Sequence, residues 1–176
     1  MAARKSNHYV NNKQLLAVMI DYKEKVQHAK DNDLQSPRVP NYVGECLLQI
    51  ANRLSRKPNF ANYPFREEMI SDGIENCINY IDNFNPEKSQ NPFAYFTQII
   101  YFAFLRRIQK EKKQLYVKHK ALENSYLMDL INEEHSPLKS TLENTSDYMH
   151  DFVETFESNL EKKKKTKRKG VELFYE

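Results

Sequence analysis

One stretch of the chain carries aromatic residues first and basic residues directly after them. Rings are dense between Phe93 and Leu105, and residues 106–120 then hold seven lysines and arginines against Glu111. Cations bind phosphates and exposed rings stack on unpaired bases, so this order is typical of a helix that binds single-stranded nucleic acid. Core rings followed by a solvated basic face would give the same pattern, and spacing alone leaves both interpretations open.

Other kinds of chemistry find little support in the sequence. It shows no nucleophile–base pair, no glycine-rich phosphate loop and no paired carboxylates in a plausible pocket, so we expect no enzyme activity. The five histidines are scattered and no Cys/His cluster has metal-ligand spacing, so we expect neither a metal nor another cofactor. Cys46 and Cys77 fall on apolar helical stripes, which favours buried free thiols over a disulfide.

The C-terminal end is the second segment that suggests a binding function. Four apolar residues follow the lysine-rich run KKKKTKRKG: Val171, Leu173, Phe174 and Tyr175. A terminal hexapeptide cannot build a core, so these residues favour a short linear motif that docks into a hydrophobic pocket of a partner. A frayed tail with incidental apolar residues is the alternative. The lysine-rich run is either a DNA contact or a solvated spacer.

Apolar periodicity predicts that helices position these segments. Glycine occurs only three times in 176 residues, which disfavours folds built on tight β-turns, and we therefore predict an all-α fold. Four helices are predicted. Asn11 or Asn12 caps the first helix, and Asn41 caps the second. The third helix runs from about Phe65 to Asp82, and the fourth begins with Pro92 in its first turn and continues to about Ile131.

The predicted third helix has an apolar side and a polar side. We expect its apolar stripe to pack inward: Met69, Ile70, Ile74, Cys77, Ile78 and Ile81. We expect its polar residues to point outward: Ser71, Asp72, Glu75 and Asn79. Without other information, Asp72 and Glu75 on such a face are simply solvated.

Charge is segregated along the chain, although the net charge is only +3. Nine acids stand against Lys139 alone between Asp129 and Glu161, which is typical of a flexible acidic linker with at most a short helix over Tyr148–Phe156. The predicted organisation is a loose N-terminus over 1–10, a compact helical domain over 11–131, an acidic and then lysine-rich linker over 132–169, and a tail over 170–176. No apolar run approaches the ~20 residues of a membrane span and no signal peptide opens the chain, so we expect a cytoplasmic protein without a membrane partner.

Residues 68–86 and the segment after them resemble region 2 of bacterial sigma factors. The family pattern has an acidic residue, a glycine five positions on and Phe-Asp-Pro eleven positions after that glycine; here Glu68, Gly73 and the Phe84-Asn85-Pro86 run stand at those spacings without a gap. Tyr95 and Thr97 stand where the family has Tyr-x-Thr. The opening YVNNKQLL and the closing LFYE are similar to the late-transcription sigma factors of T-even-type phages, and the resemblance covers roughly residues 41–113.

The resemblance implies a non-catalytic transcription factor: a compact, all-helical sigma region 2-like domain, a linker, and a tail that binds the phage DNA sliding clamp. Contacts to promoter DNA are implied for Tyr95, Phe96, Thr97, Tyr101, Phe102, Arg106, Arg107, Lys110 and Lys113. Contacts to core RNA polymerase of the bacterial host are implied for Ser71, Asp72, Glu75 and Asn79, and contacts to the sliding clamp for Val171, Leu173, Phe174 and Tyr175. A phage co-activator is a further implied partner.

Several positions depart from the family pattern. Gln98 and Ile99 replace the usual Trp pair of the melting element, Asn85 replaces an Asp, and Phe102 replaces a Gln that reads the upstream edge of the −10 element. Nothing after Ile131 resembles a helix-turn-helix, so the resemblance implies recognition of an A·T-rich, −10-like site alone. The alternative is a helical adaptor that links the sliding clamp to a replication or repair protein without reading DNA. Such an adaptor has little use for an aromatic helix that turns basic.

Overall fold

A computed structural model describes residues 9–123 and 148–162. Their regular structure is entirely helical, which confirms the predicted all-α fold. The helices are α1 (Asn12–Asp31), α2 (Asn41–Ser55), α3 (Pro58–Ala61), α4 (Arg66–Asn79), a 3-10 helix (Ile81–Asn83), α5 (Pro92–Glu123) and α6 (148–162). They group into two compact units, and the boundary between the units falls between Ile108 and Gln109, within α5. Within the described ranges, no helix combines the length and the apolar character that crossing a membrane requires.

Asparagine side chains cap the N-termini of two of the longer helices. The Oδ1 of Asn11 accepts hydrogen bonds from two backbone amides in the first turn of α1, at 3.1 and 3.3 Å, which confirms Asn11 as its cap. Asn91 caps α5 in the same way at 3.0 Å, directly before Pro92. The predicted Asn41 cap is wrong, because α2 already begins at Asn41 and Pro40 takes the capping position without a side-chain hydrogen bond.

The core of the first unit is formed by the inward faces of its helices, with α2 packed against both α1 and α4. Side chains from most of its helices are fully buried there: Leu15, Met19, Val43, Leu47, Ile50, Met69, Cys77, Phe84, Phe96, Ile100 and Phe104. The aromatic connector before α4 contains a short helix, α3, which was not predicted. Its Phe60 is buried and meets the rings of Tyr101 and Phe104 edge-on, at 5.7 and 5.2 Å.

Only part of the predicted apolar stripe of α4 faces the core. The buried residues Met69, Gly73 and Cys77 follow one another at intervals of four, whereas Ile78 is 47% exposed, so its predicted inward packing is wrong. Gly73 explains why this row of residues faces α5. A Cβ at Gly73 would stand 3.0 Å from Cγ2 of Ile100, so the missing side chain lets α5 approach α4 closely. The helix also ends earlier than predicted, at Asn79, and the following 3-10 helix buries its own isoleucine.

The second unit contains a packed helix where the sequence predicted mostly flexible linker. Helix α6 is longer than the short helix expected over Tyr148–Phe156, and it buries Met149 and Val153. The ring of Phe156 stacks on Tyr116 of the 109–123 stretch of α5, at 4.6 Å between centroids. Residues 148–162 are therefore part of a helix pair.

Candidate nucleic-acid interface

One side of α5 belongs to the core of the first unit. Phe96, Ile100 and Phe104 are fully buried at intervals of four residues, along the line that meets α4. The ring of Phe96 lies 6.3 Å from that of Phe84, and its backbone carbonyl accepts a 3.8 Å contact from the thiol of Cys77. The predicted DNA contact of Phe96 therefore needs correction, because its side chain is fully buried in the core and has no surface to offer a base.

The opposite side of α5 forms part of an open concavity of about 330 Å³ next to the C-terminal end of α4. Six residues line it: Tyr80, Tyr95, Gln98, Ile99, Phe102 and Arg106. Phe102 is 48% exposed and Tyr80 is 49% exposed, which is high for such large rings. Exposed rings collected in one concave place, beside a cation, are typical of a surface that a partner covers.

Tyr95 forms a fixed wall of this concavity. Its hydroxyl donates to the backbone carbonyl of Tyr80 at 2.9 Å, and its ring packs at 5.3 Å from Phe84 and 5.2 Å from Phe96. The ring is half-buried, and this burial raises the pKa of the phenol above its ordinary value. The position of Tyr95 is thus set by the core.

The other predicted DNA contacts in this part of α5 have different environments. Phe102 lines the concavity without a comparable anchor, because its ring meets only the edge of Tyr101 at 5.8 Å among the ring contacts of the described residues. Tyr101 leans the other way, onto Phe60, and does not line the concavity. The hydroxyl of Thr97 donates to the carbonyl of Phe93 at 2.7 Å, so it is used within the helix.

The two arginines that follow the rings have different partners. Arg106 lies at the rim of the concavity and donates from Nη2 to Oδ1 of Asn76 at 2.9 Å. This partner is a neutral amide, and no carboxylate in the described part of the chain pairs with Arg106, so its charge is available to a phosphate. Arg107 instead forms a two-pronged ion pair with Asp72, with N–O distances of 2.8 and 3.2 Å, and its side chain is 17% exposed.

The Asp72–Arg107 pair joins two predicted sites. The predicted partner of Asp72 is the polymerase and that of Arg107 is DNA, but the structure pairs the two side chains with each other between α4 and α5. The other predicted polymerase-facing residues of α4 are exposed: Ser71, Glu75 and Asn79. Sequence reasoning missed Asn76 and Tyr80. Asn76 could have been found from its spacing, because it follows Asp72 by four residues and therefore lies on the same face of α4, where the two side chains can meet the consecutive arginines Arg106 and Arg107.

The remaining predicted residues lie elsewhere. Lys110 and Lys113 are exposed on the 109–123 stretch of α5 in the second unit. The predicted clamp-binding residues lie outside the described residues: Val171, Leu173, Phe174 and Tyr175. Both cysteines are buried and free, as predicted. No group of three potential metal-binding side chains occurs in the part of the chain that the structure describes.

A comparison with protein-family models finds no matching family, and a comparison with curated proteins finds no matching relative.

Proposed function

We propose that the chain is a phage late-transcription sigma factor without catalytic activity. It binds core RNA polymerase of the bacterial host, recognises and helps to melt an A·T-rich, −10-like promoter element, and docks on the DNA sliding clamp through its tail. The observation that supports DNA binding best is the concavity in which Tyr80, Tyr95 and Phe102 stand beside Arg106. Aromatic rings next to an uncompensated cation suit a nucleotide whose base stacks and whose phosphate is neutralised.

The geometry favours an unpaired base over duplex DNA. A base in a duplex is already stacked on both faces, so only a melted strand offers the face that Phe102 and Tyr95 need. Tyr95 supplies a rigid wall and Phe102 an adjustable one. Because capture occurs only after unpairing, such contacts would shift the equilibrium towards the open promoter. The exposed lysines Lys110 and Lys113 would add attraction to phosphates that does not depend on sequence.

The polymerase contact is proposed for the exposed polar face of α4. Ser71, Glu75 and Asn79 are exposed there, whereas Asp72 is partly occupied by its ion pair with Arg107. Of the four predicted polymerase-facing residues, these three are therefore the better candidates for direct contact.

Replacing Phe102 with Ala tests the proposed base capture. We expect a loss of about 1–3 kcal/mol in binding to a promoter bubble, which corresponds to roughly 5- to 150-fold in affinity. Run-off transcription should fall more on a linear duplex than on a pre-melted bubble, because the duplex must be opened first. Leu48→Ala is a matched control, since Leu48 is also 48% exposed but lies on α2 and does not line the concavity.

Two outcomes would count against the proposal. If Phe102→Ala opens linear promoters as well as the parent protein does, the concavity does not hold a base. If the parent protein neither copurifies with core polymerase nor binds the bubble, the helical adaptor becomes the better hypothesis.

A further inference from the structure

The second unit pairs an acidic helix with a basic one. Helix α6 carries four carboxylates: Asp151, Glu154, Glu157 and Glu161. The stretch of α5 on which it packs carries five lysines: Lys110, Lys112, Lys113, Lys118 and Lys120. The proposed phosphate contacts Lys110 and Lys113 belong to this basic stretch. A helix of the same chain packs on the stretch and carries negative charge, as a nucleic-acid backbone does.

Glu157 makes two polar contacts between the two helices. Its carboxylate accepts a hydrogen bond from the Tyr116 hydroxyl at 2.8 Å and lies 3.4 Å from Nζ of Lys120. Beside this cluster, the ring of Phe156 stacks on Tyr116 at 4.6 Å, and the ring of Phe152 meets His119 edge-on at 5.3 Å. A carboxylate thus engages a lysine and a phenol that could otherwise bind a phosphate oxygen.

Few large side chains are buried along α6. Met149 and Val153 are its buried residues, whereas Tyr148 is 64% exposed and Leu160 is 40% exposed. An isolated helix of 15 residues is only marginally stable in water, so α6 depends on its packing against α5 to remain helical. Segments held by few buried contacts open more readily than a core does.

We propose that α6 is an acidic, displaceable cover on the basic 109–123 stretch of α5, and that it competes with the phosphate backbone of nucleic acid for that stretch. This inference rests on the proposed DNA-binding function. The cover acts from within the chain, so its effective concentration is high and it suppresses weak, sequence-independent binding. A promoter held additionally by polymerase and by base contacts has the affinity to displace it.

Glu157→Gln is the variant that tests the cover, and Glu154→Gln is its matched control. Both remove one negative charge from α6 with almost no change in shape, but Glu154 is exposed and forms no hydrogen bond or ion pair among the described residues, whereas Glu157 engages Tyr116 and Lys120. The full-length proteins are titrated with a short labelled duplex of arbitrary sequence at several salt concentrations. Glu157→Gln should raise the affinity more than Glu154→Gln does, and it should steepen the log–log salt dependence by about 0.9 for each lysine that is released.

Amide hydrogen exchange of the parent protein provides a direct measurement of displacement. Protection in residues 148–162 should fall when the duplex is added, because those residues leave the basic stretch. Unchanged protection in bound protein, or equal affinities for the two Gln variants, would overturn the inference.

A third variant separates failure of the cover from failure of DNA binding. If Lys110→Ala with Lys113→Ala weakens duplex binding while Glu157→Gln changes nothing, the basic stretch binds DNA and the cover alone is refuted. If neither change affects duplex binding, the stretch is not a phosphate site, and the inference fails together with this part of the proposed function.

Discussion

Gly73 occupies the buried line of α4, where a Cβ would stand 3.0 Å from Cγ2 of Ile100 and 3.2 Å from Cε1 of Phe104. Alanine there gains about 1 kcal/mol of helix propensity. It also crowds two fully buried side chains, which costs about 1–3 kcal/mol, so we expect Gly73→Ala to lower the free energy of unfolding. Gly44→Ala should instead raise it by about 1 kcal/mol, because nothing lies within 4 Å of that added Cβ. Urea denaturation of both variants checks this, and equal stabilisation would contradict the close approach.

Cys77 should be inert in the folded protein. Burial raises the pKa of its thiol from 9.0 to about 12, so the native thiol stays protonated at pH values where the unfolded one ionises. Its contribution to stability is therefore complete below about pH 9 and is lost as the pH rises from there towards 12. Between pH 8 and pH 10 this loss is about 1.4 kcal/mol.

Two measurements check the behaviour of Cys77. A thiol reagent at pH 8 should label it only after denaturant is added. The drop in unfolding free energy between pH 8 and pH 10 should be smaller in Cys77→Ala than in the parent. Rapid labelling of the native protein at Cys77, or an identical drop in the variant, would show that the thiol is not held in the core.

The sequence predicted which residue types lie on α5 but not which of them face outward. Apolar residues surround this helix between Phe93 and Leu105, so periodicity cannot choose between Phe96 and Phe102. The choice is made by tertiary packing, because the helix approaches α4 along the line that passes Gly73. Phe96 consequently enters the core and Phe102 does not.

At the scale of helices, α4 offers a test of the proposed polymerase contact. Glu75→Lys reverses a charge on its exposed face without breaking the Asp72–Arg107 ion pair, so helicity should be unchanged while affinity for core polymerase falls. Glu67→Lys is the control, since it reverses an exposed charge in the first turn of the same helix. A pull-down with purified core enzyme measures both. Equal retention of the two variants would remove this face from the interface.

Long periodic segments were predicted more accurately than short or charged ones. Helix α1 follows from its apolar spacing and the Asn11 cap, and both are local properties of the sequence. The four-residue α3 has no period of its own, and it is helical because Phe60 is buried against rings from α5. The acidic composition of 132–161 predicted a mostly flexible linker with at most a short helix over Tyr148–Phe156, whereas packing on Tyr116 gives residues 148–162 a helical partner.

At the scale of the whole molecule, the proposed functions fall on different parts of the chain. The concavity and the exposed face of α4 belong to the first unit, and the basic stretch with its acidic cover belongs to the second. The proposed clamp-binding tail, residues 170–176, lies outside the described residues. Because these parts are separate in sequence, removing one should leave the proposed contacts of the others intact.

The tail gives the sharpest test of that separation. Leu173 and Phe174 are adjacent, so a turn or a helical bend is needed to aim both into one pocket. Burying each is worth about 1.5–3 kcal/mol, and ordering the hexapeptide opposes this by about 1–2 kcal/mol per residue, so the isolated peptide should bind the clamp weakly, at micromolar affinity or poorer. Within a polymerase complex that shares DNA with the clamp, the tail acts at high local concentration.

We therefore expect deletion of residues 171–176 to spare −10-dependent initiation and to abolish its stimulation by the sliding clamp. Leu173→Ala with Phe174→Ala should have the same effect without shortening the chain, because the apolar contact is lost. Glu172→Gln is the control, since it changes the same segment without removing an apolar side chain. Run-off transcription with and without clamp and clamp loader measures all three. Full clamp-stimulated output from the truncated protein would show that docking depends on another part of the chain.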